Sequence, residues 1–350
     1  MVDAMTDRIP VTVLTGYLGA GKTTLVNRIL AGRHGRRYAV IVNELGEIGI
    51  DGELIVGSDE ELIELSNGCV CCTVRGDLVR TVRTLLARIP APEAILVETT
   101  GVAAPAPVAQ TFLGDHVLVQ RTRLDSITTL VDARHIDDRL DDSREAIEQV
   151  AFADQIVLNK MELVEPAKLA AIEARLRRLN PLAPIIRAVR ADVPIDELLG
   201  RGAFDLERIV SLEPHILEAQ SGCDEPGHVH DEHCAHDHTH VGSTGSHMAG
   251  GDIASVSLSV SRPLDLDKAQ TWISALAEER GRDILRMKGI LDIAGDARRL
   301  VVQAVHMQLE GDFQREWREG EPRVSRLVLI GRNLDGAALQ RELEGCVAGA

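Results

Sequence analysis

Residues 16–23 carry the sharpest chemical signal in the chain. Gly16-Tyr17-Leu18-Gly19-Ala20-Gly21-Lys22-Thr23 fits the pattern G-x-x-x-x-G-K-[ST]. An apolar run, Val11 to Thr15, reads as a strand before it, and Thr24 to Ala31 reads as a helix after it. In that setting glycines let backbone N–H groups converge on phosphate oxygens, and the opening helix adds its positive end. Gly16, Gly19, Ala20, Gly21, Lys22, Thr23 and Thr24 are therefore candidate phosphate contacts. Lys22 supplies a point charge to the β- and γ-phosphates, and the Thr23 hydroxyl suits Mg²⁺. A second strand, Ala94 to Val97, ends in Glu98-Thr99-Thr100-Gly101. Glu98 suits Mg²⁺ held through water, and the Gly101 N–H suits the γ-phosphate, so this turn could sense hydrolysis. Lys22, Thr23, Glu98 and Gly101 form the candidate catalytic set. No glutamine follows Gly101 where some GTPases hold one, so slow intrinsic hydrolysis is expected. A third strand, Gln155 to Leu158, leads into Asn159-Lys160-Met161-Glu162. An Asn-Lys-x-Asp loop reads guanine because a carboxylate accepts both hydrogens on the base's Watson–Crick edge. Here the acid is Glu162, one methylene longer, which weakens the expectation of guanine over adenine.

Soft-metal chemistry comes next. Cys69, Cys71 and Cys72 lie within four residues, between the phosphate loop and Glu98. Thiolates favour Zn²⁺, Cu⁺ and related ions. On an extended chain Cys69 and Cys71 point the same way; Cys72 needs a turn to join them, so two or three thiols are available. Three protein ligands leave one tetrahedral position open, which suits a metal that is handed on. Glu44, in the acidic and glycine-bearing segment Val42 to Asp51, is the candidate fourth ligand. A redox pair or inert buried thiols are the competing readings. Seven of the 12 histidines fall between His228 and His247. His228, His230, His233, His236, His238 and His240 form a spaced imidazole array that is expected to bind metal weakly, because ordering the chain costs entropy. A solvated spacer is the alternative. Cys346 and His306 read as structural residues, the latter on a strand.

Composition narrows the field. The 350 residues carry 38 basic and 54 acidic side chains, a net charge of −16. That balance opposes a general nucleic-acid binder, and four Phe, two Tyr and two Trp give few stacking platforms. No apolar stretch is long enough for a membrane helix, and no secretory signal is visible, so a cytoplasmic protein is expected. Clustered thiols in such a chain point to metal rather than to a disulfide framework.

These elements must be positioned by a scaffold. Alternating apolar runs (Val11–Thr15, Tyr38–Val42, Ala94–Val97, Ile127–Val131, Gln155–Leu158) and helical patterns (Leu78–Ala87, Pro166–Leu179) predict an α/β domain with a mostly parallel sheet over 1–210. Residues 211–251 read as a His-rich flexible linker. Residues 252–350 read as a smaller α+β domain with an antiparallel sheet. Its strands are expected at Ser255–Val260, Ile284–Ile293, Leu300–Leu309 and Val324–Ile330, with helices at Leu266–Glu279 and Ala337–Leu343.

Taken together, the chain resembles the CobW-type family of metal-handling P-loop GTPases. The likeness is carried by Thr15 to Thr24, Val42 to Asp51, Gly68 to Leu78 and Glu98 to Gly101. In the second domain it is carried by Met287 to Leu291, Val302 to His306 and Leu327 to Arg332. The resemblance implies a P-loop GTPase domain and a CobW-type C-terminal domain. It implies GTP and Mg²⁺ as ligands, and Zn²⁺ or Co²⁺ bound at Cys69, Cys71 and Cys72. It also implies delivery of that metal to a client metalloprotein under nucleotide control. Two other readings stay open: a nucleotide-regulated metal buffer or sensor without a client, and an ATP-using P-loop enzyme, against which Asn159-Lys160 leans.

Overall fold

The computed structural model describes residues 8–32, 37–43, 61–65, 73–200, 202 and 253–349. Seven strands form the first sheet: β1 (Ile9–Gly16), β2 (Tyr38–Asn43), β3 (Glu61–Leu65), β4 (Ala94–Glu98), β5 (Thr122–Asp132), β6 (Gln155–Asn159) and β7 (Ile185–Arg187). Their order is β3-β2-β4-β1-β5-β6-β7, and every pairing is parallel. Parallel neighbours need crossovers. The described helices of this domain are α1 (Lys22–Ala31), α2 (Thr73–Leu86), α3 (Ala106–Gly114), α4 (His116–Arg121), α5 (Ile136–Asp142), α6 (Arg144–Phe152) and α7 (Pro166–Leu179). Successive strand residues face opposite layers. Val11 and Val13 pack with Ile41, Val97 and the α2 residues Leu78 and Val82. Leu14 packs on the other side, with Val40, Leu96 and the α1 residues Leu25 and Ile29. Both faces are buried, which is why the strands read as unbroken apolar runs.

Strands that all run one way share one C-terminal edge, where α/β proteins bind ligands. The register sets its order. Leu14 and Val42 flank Glu98, Gly16 is abreast of Leu130, Asp132 of Asn159, and Asn43 of Leu65.

The second sheet is antiparallel, ordered β11-β10-β9-β12-β8. Its strands are β8 (Ile253–Val260), β9 (Ile284–Asp292), β10 (Arg298–Val305), β11 (Gln308–Glu316) and β12 (Ser325–Arg332). Helices α8 (Leu266–Arg280) and α9 (Gly336–Gly345) cover one face, where Met287, Leu291 and Leu329 meet Ile273, Leu276 and Leu343. Ile290, Val301, Val305 and Val328, on the other face, join the core of the parallel sheet. The run Leu300–Leu309 is thus not one strand: the chain turns at His306, whose φ is +50°, and returns as β11. His306 sits in that turn rather than on a strand. Its Nδ1 lies 3.3 Å from the Gly281 carbonyl, and its ring lies 5.0 Å from Phe152 at the end of α6, as a structural residue should. Cys346 is also structural: it is buried, and its Sγ donates to Glu342 O at 3.4 Å.

Ion pairs join the two sheets' domains. Asp154, just after α6, receives Arg286 and, at 2.8 Å, Lys288 Nζ, both from β9 and all fully buried. Its other oxygen accepts Ile127 N at 2.9 Å. On α6 itself, Glu148 pairs with Arg332 of β12. Removing the Asp154 carboxylate would strip both buried cations of this shared partner, a loss on the order of 3–5 kcal/mol. Among the described residues no helix is long and apolar enough to cross a membrane.

Candidate functional site

The phosphate loop bridges β1 and α1 at the C-terminal edge. Gly16 closes β1, and Gly21 is the residue before α1 with φ +105°. A side chain at Gly21 would also collide with Asn159, whose Nδ2 lies 2.6 Å from where its Cβ would stand. Glycine is therefore required both for the turn and for the close approach. Among the described residues no side chain caps the N-terminus of this ten-residue helix, and its first turn holds no acid. Its leading N–H groups and positive dipole end face the loop, an arrangement that favours an anion. Lys22, the first helical residue, is buried, and its Nζ donates to Gly16 O at 2.8 Å. Thr23 is half-buried beside it, Ala20 is buried, and Gly19 and Thr24 are exposed.

Glu98 ends β4 and is 6% exposed. The turn after it is pinned on two sides. Thr99 N donates to Leu14 O and its hydroxyl to Thr15 Oγ1, both at 2.9 Å. Gly101 presses on the phosphate loop so closely that a Cβ there would stand 2.8 Å from Leu18 N.

The third element is Asn159, the last residue of β6, which is buried. Its Nδ2 donates to Ala20 O at 2.9 Å, and its Oδ1 accepts Ala191 N at 2.7 Å. It thereby ties the phosphate loop to the 188–191 segment. Lys160 follows with φ +62°, and its Nζ reaches Asp132 Oδ2 at 2.8 Å. Asp132 also faces His135 Nδ1 at 3.1 Å and accepts Arg134 N at 2.9 Å. Burial alone would raise the Asp132 pKa, but the hydrogen bonds from Lys160, His135 and Arg134 outweigh it and hold the carboxyl below its ordinary value. Glu162 is exposed on the short 3₁₀ turn Met161–Leu163. A cavity of about 260 Å³ runs between Tyr17–Gly19, the end of β5 and α6, with Lys160, Asp132 and Gln149 in its wall.

The structure thus brings the phosphate loop, the Glu98–Gly101 turn and Asn159-Lys160 to one edge. Glu44, Cys69, Cys71, Cys72 and the six accessory histidines His228, His230, His233, His236, His238 and His240 lie outside the described residues. Among the described residues no cluster of three metal-ligating side chains occurs. Asp132, Gln149 and the 188–191 segment were not anticipated from sequence. Asp132 ends an apolar strand run, the same signal that singled out Glu98. Gln149 is a polar residue on the apolar side of α6. Arg190 and Ala191 take positive φ without being glycine, and sequence carries no mark of that.

This edge and this sheet define a P-loop GTPase. Residues 10–187 match the CobW/HypB/UreG nucleotide-binding domain, and residues 253–347 match the cobalamin synthesis protein cobW C-terminal domain. The chain is 33% identical to the zinc chaperone YjiA of Escherichia coli, over 97% of its own length and 98% of that protein's. It is 35% identical to the zinc chaperone CobW of Pseudomonas aeruginosa, over 97% and 92%. The crystal structure of Zn(II)-bound YjiA GTPase from E. coli superposes with a TM-score of 0.72 at 28% identity, covering 97% of this chain and 99% of that one. The chain belongs to the CobW family.

Proposed function

We propose that this chain hydrolyses GTP to control a zinc ion, which it hands to a client metalloprotein. The observation that carries the reading is the register at the C-terminal edge. The segment bearing Glu44 leaves β2 after Asn43. The segment bearing Cys69, Cys71 and Cys72 leaves β3 after Leu65, which pairs with Asn43. The Glu98–Gly101 turn leaves β4, the next strand over. At about 4.8 Å between strands, all three segments are rooted within roughly 10 Å. That adjacency gives a change at the γ-phosphate turn a short path to the strand end from which the thiol segment leaves.

In hydrolysis a water oxygen bonds to the γ-phosphorus and the bond to the β–γ bridging oxygen breaks. Lys22 and the N–H groups of the loop stabilise the charge that accumulates on the phosphates. Thr23 and Glu98 offer hard oxygen donors beside the loop, a set that fits Mg²⁺, which when bound would neutralise part of that charge. The Gly101 N–H holds the γ-phosphate and lets go when phosphate leaves. The ion held by Cys69, Cys71, Cys72 and Glu44 is then released. Zinc is assigned ahead of cobalt because full-length relatives are named zinc chaperones and thiolate ligands suit it. The histidine array is a weak accessory site that loads or buffers the ion. A GTP-dependent cycle of this kind belongs in the cytoplasm, where the nucleotide is.

Base choice rests on Glu162. Its carboxylate accepts the two N–H groups of guanine, whereas an amide would favour xanthine, which presents a carbonyl in place of the amino group. Glu162→Gln should shift the preference from GTP towards XTP by about tenfold or more, read by competition against labelled GTP. An unchanged preference would move the base contact to another residue.

Transfer is tested by mixing the zinc-loaded chain with a zinc-free metalloenzyme. Enzyme activity should rise with GTP and stay low with a non-hydrolysable analogue. Equal recovery with both would leave a metal buffer rather than a chaperone.

A further inference from the structure

Helix α6 holds the γ-phosphate turn with one residue and the C-terminal domain with its neighbours. Gln149 is 1% exposed. Its Nε2 donates to Gly101 O at 3.2 Å and to Ala103 O at 3.1 Å. Its own backbone carbonyl accepts Thr129 Oγ1 at 2.7 Å, which fixes that turn of the helix to β5. Its Oε1 is buried and has no hydrogen-bond partner among the described residues. The polar contacts of this side chain with the protein are thus made by its amide nitrogen. What it supplies is a pair of donors aimed at the turn that follows Glu98. Those donors hold the Gly101 carbonyl while Leu18 of the phosphate loop crowds the same residue.

The same helix, together with Asp154 just after it, is seated on the second domain at three places. Glu148, adjacent to Gln149, pairs with Arg332. Phe152 packs against the His306 ring. Asp154 receives Arg286 and Lys288. Arg332 is paired in the sheet with Ile253, where the described chain resumes after the histidine-bearing segment.

We propose that Gln149 is a positioning residue for GTP hydrolysis, and that the C-terminal sheet sets the hydrolysis rate by seating α6 through Glu148 and Asp154. The proposal deepens the GTPase part of the reading above and does not depend on the metal. Gln149 touches no phosphate; it acts by keeping the Gly101 N–H where the γ-phosphate requires it. Its loss should therefore appear in kcat and leave the binding of GTP nearly intact.

The test is steady-state GTP hydrolysis by the full chain without zinc, comparing wild type, Gln149→Met, Arg332→Ala and the double variant. Methionine keeps the volume and removes the donors. Gln149→Met should lower kcat about tenfold or more with KM within about threefold. Arg332→Ala should lower kcat about threefold alone and add nothing on top of Gln149→Met, because both act through one helix. A Gln149→Met kcat within twofold of wild type, or effects that multiply, overturns the proposal. Absence of turnover in the wild type would instead count against the GTPase reading. A second measurement needs no change at Gln149: amide hydrogen exchange at residues 101–104 should accelerate in Arg332→Ala. Unchanged exchange there overturns the link to the C-terminal domain.

Discussion

Lys22→Ala should reduce GTP turnover by about 10²–10³-fold while the chain stays folded. Lys22 delivers its charge inside the phosphate loop, where its Nζ lies 2.8 Å from Gly16 O. Charge moves onto the phosphate oxygens as the γ-phosphoryl group departs, so this cation counts for more in the transition state than in the bound substrate. The expected loss corresponds to about 2.7–4 kcal/mol of barrier. Folding should suffer little, because the strand and helix around the loop are held by Leu14, Leu25, Val26 and Ile29. Turnover measured beside a thermal melt separates the two effects. A Lys22→Ala variant that melts normally and keeps more than a tenth of wild-type turnover would place the chemistry elsewhere.

The second large effect concerns the cargo. Replacing Cys69, Cys71 and Cys72 together by Ser should weaken zinc binding by about 10³-fold or more, because a hydroxyl is a far poorer ligand for zinc than a thiolate. GTP turnover without zinc should stay within a few-fold, since the phosphate loop, Glu98 and Asn159 are untouched. Competition against a chelating dye reads the affinity, and elemental analysis of protein purified without a His-affinity step reads the ion carried. Weak zinc uptake should persist through the histidines. Full-strength binding by the triple variant would show that the thiols are not the site.

Much of this edge was legible because its chemistry fixes residue types at strand ends. The glycines, Lys22 and Thr23 at and just past the end of β1, Glu98 at the end of β4 and Asn159 at the end of β6 each stand where an apolar run stops, and the register makes those stops neighbours. The two-sheet division was legible for a similar reason: apolar runs change spacing on either side of a segment poor in large apolar residues. Other features depend on tertiary context. β11 is an exposed edge strand of polar residues, so no alternation marks it. Gln149 differs from any surface glutamine only by what α6 buries it against. Asp154 looks like a loop acid until β9 brings Arg286 and Lys288 to it. The 188–191 segment earns its place through Ala191 N meeting Asn159 Oδ1, a contact that local sequence does not encode.

The account's central claim is that nucleotide state and zinc binding are linked at the shared edge of β2, β3 and β4. Linkage is reciprocal, so it can be read from zinc alone. The direct measurement is the zinc Kd of the full chain with Mg²⁺ and a non-hydrolysable GTP analogue, against the same chain with Mg²⁺ and GDP. The account predicts binding about tenfold tighter or more with the analogue, a coupling of at least roughly 1.4 kcal/mol. Equal affinities in the two states would contradict it.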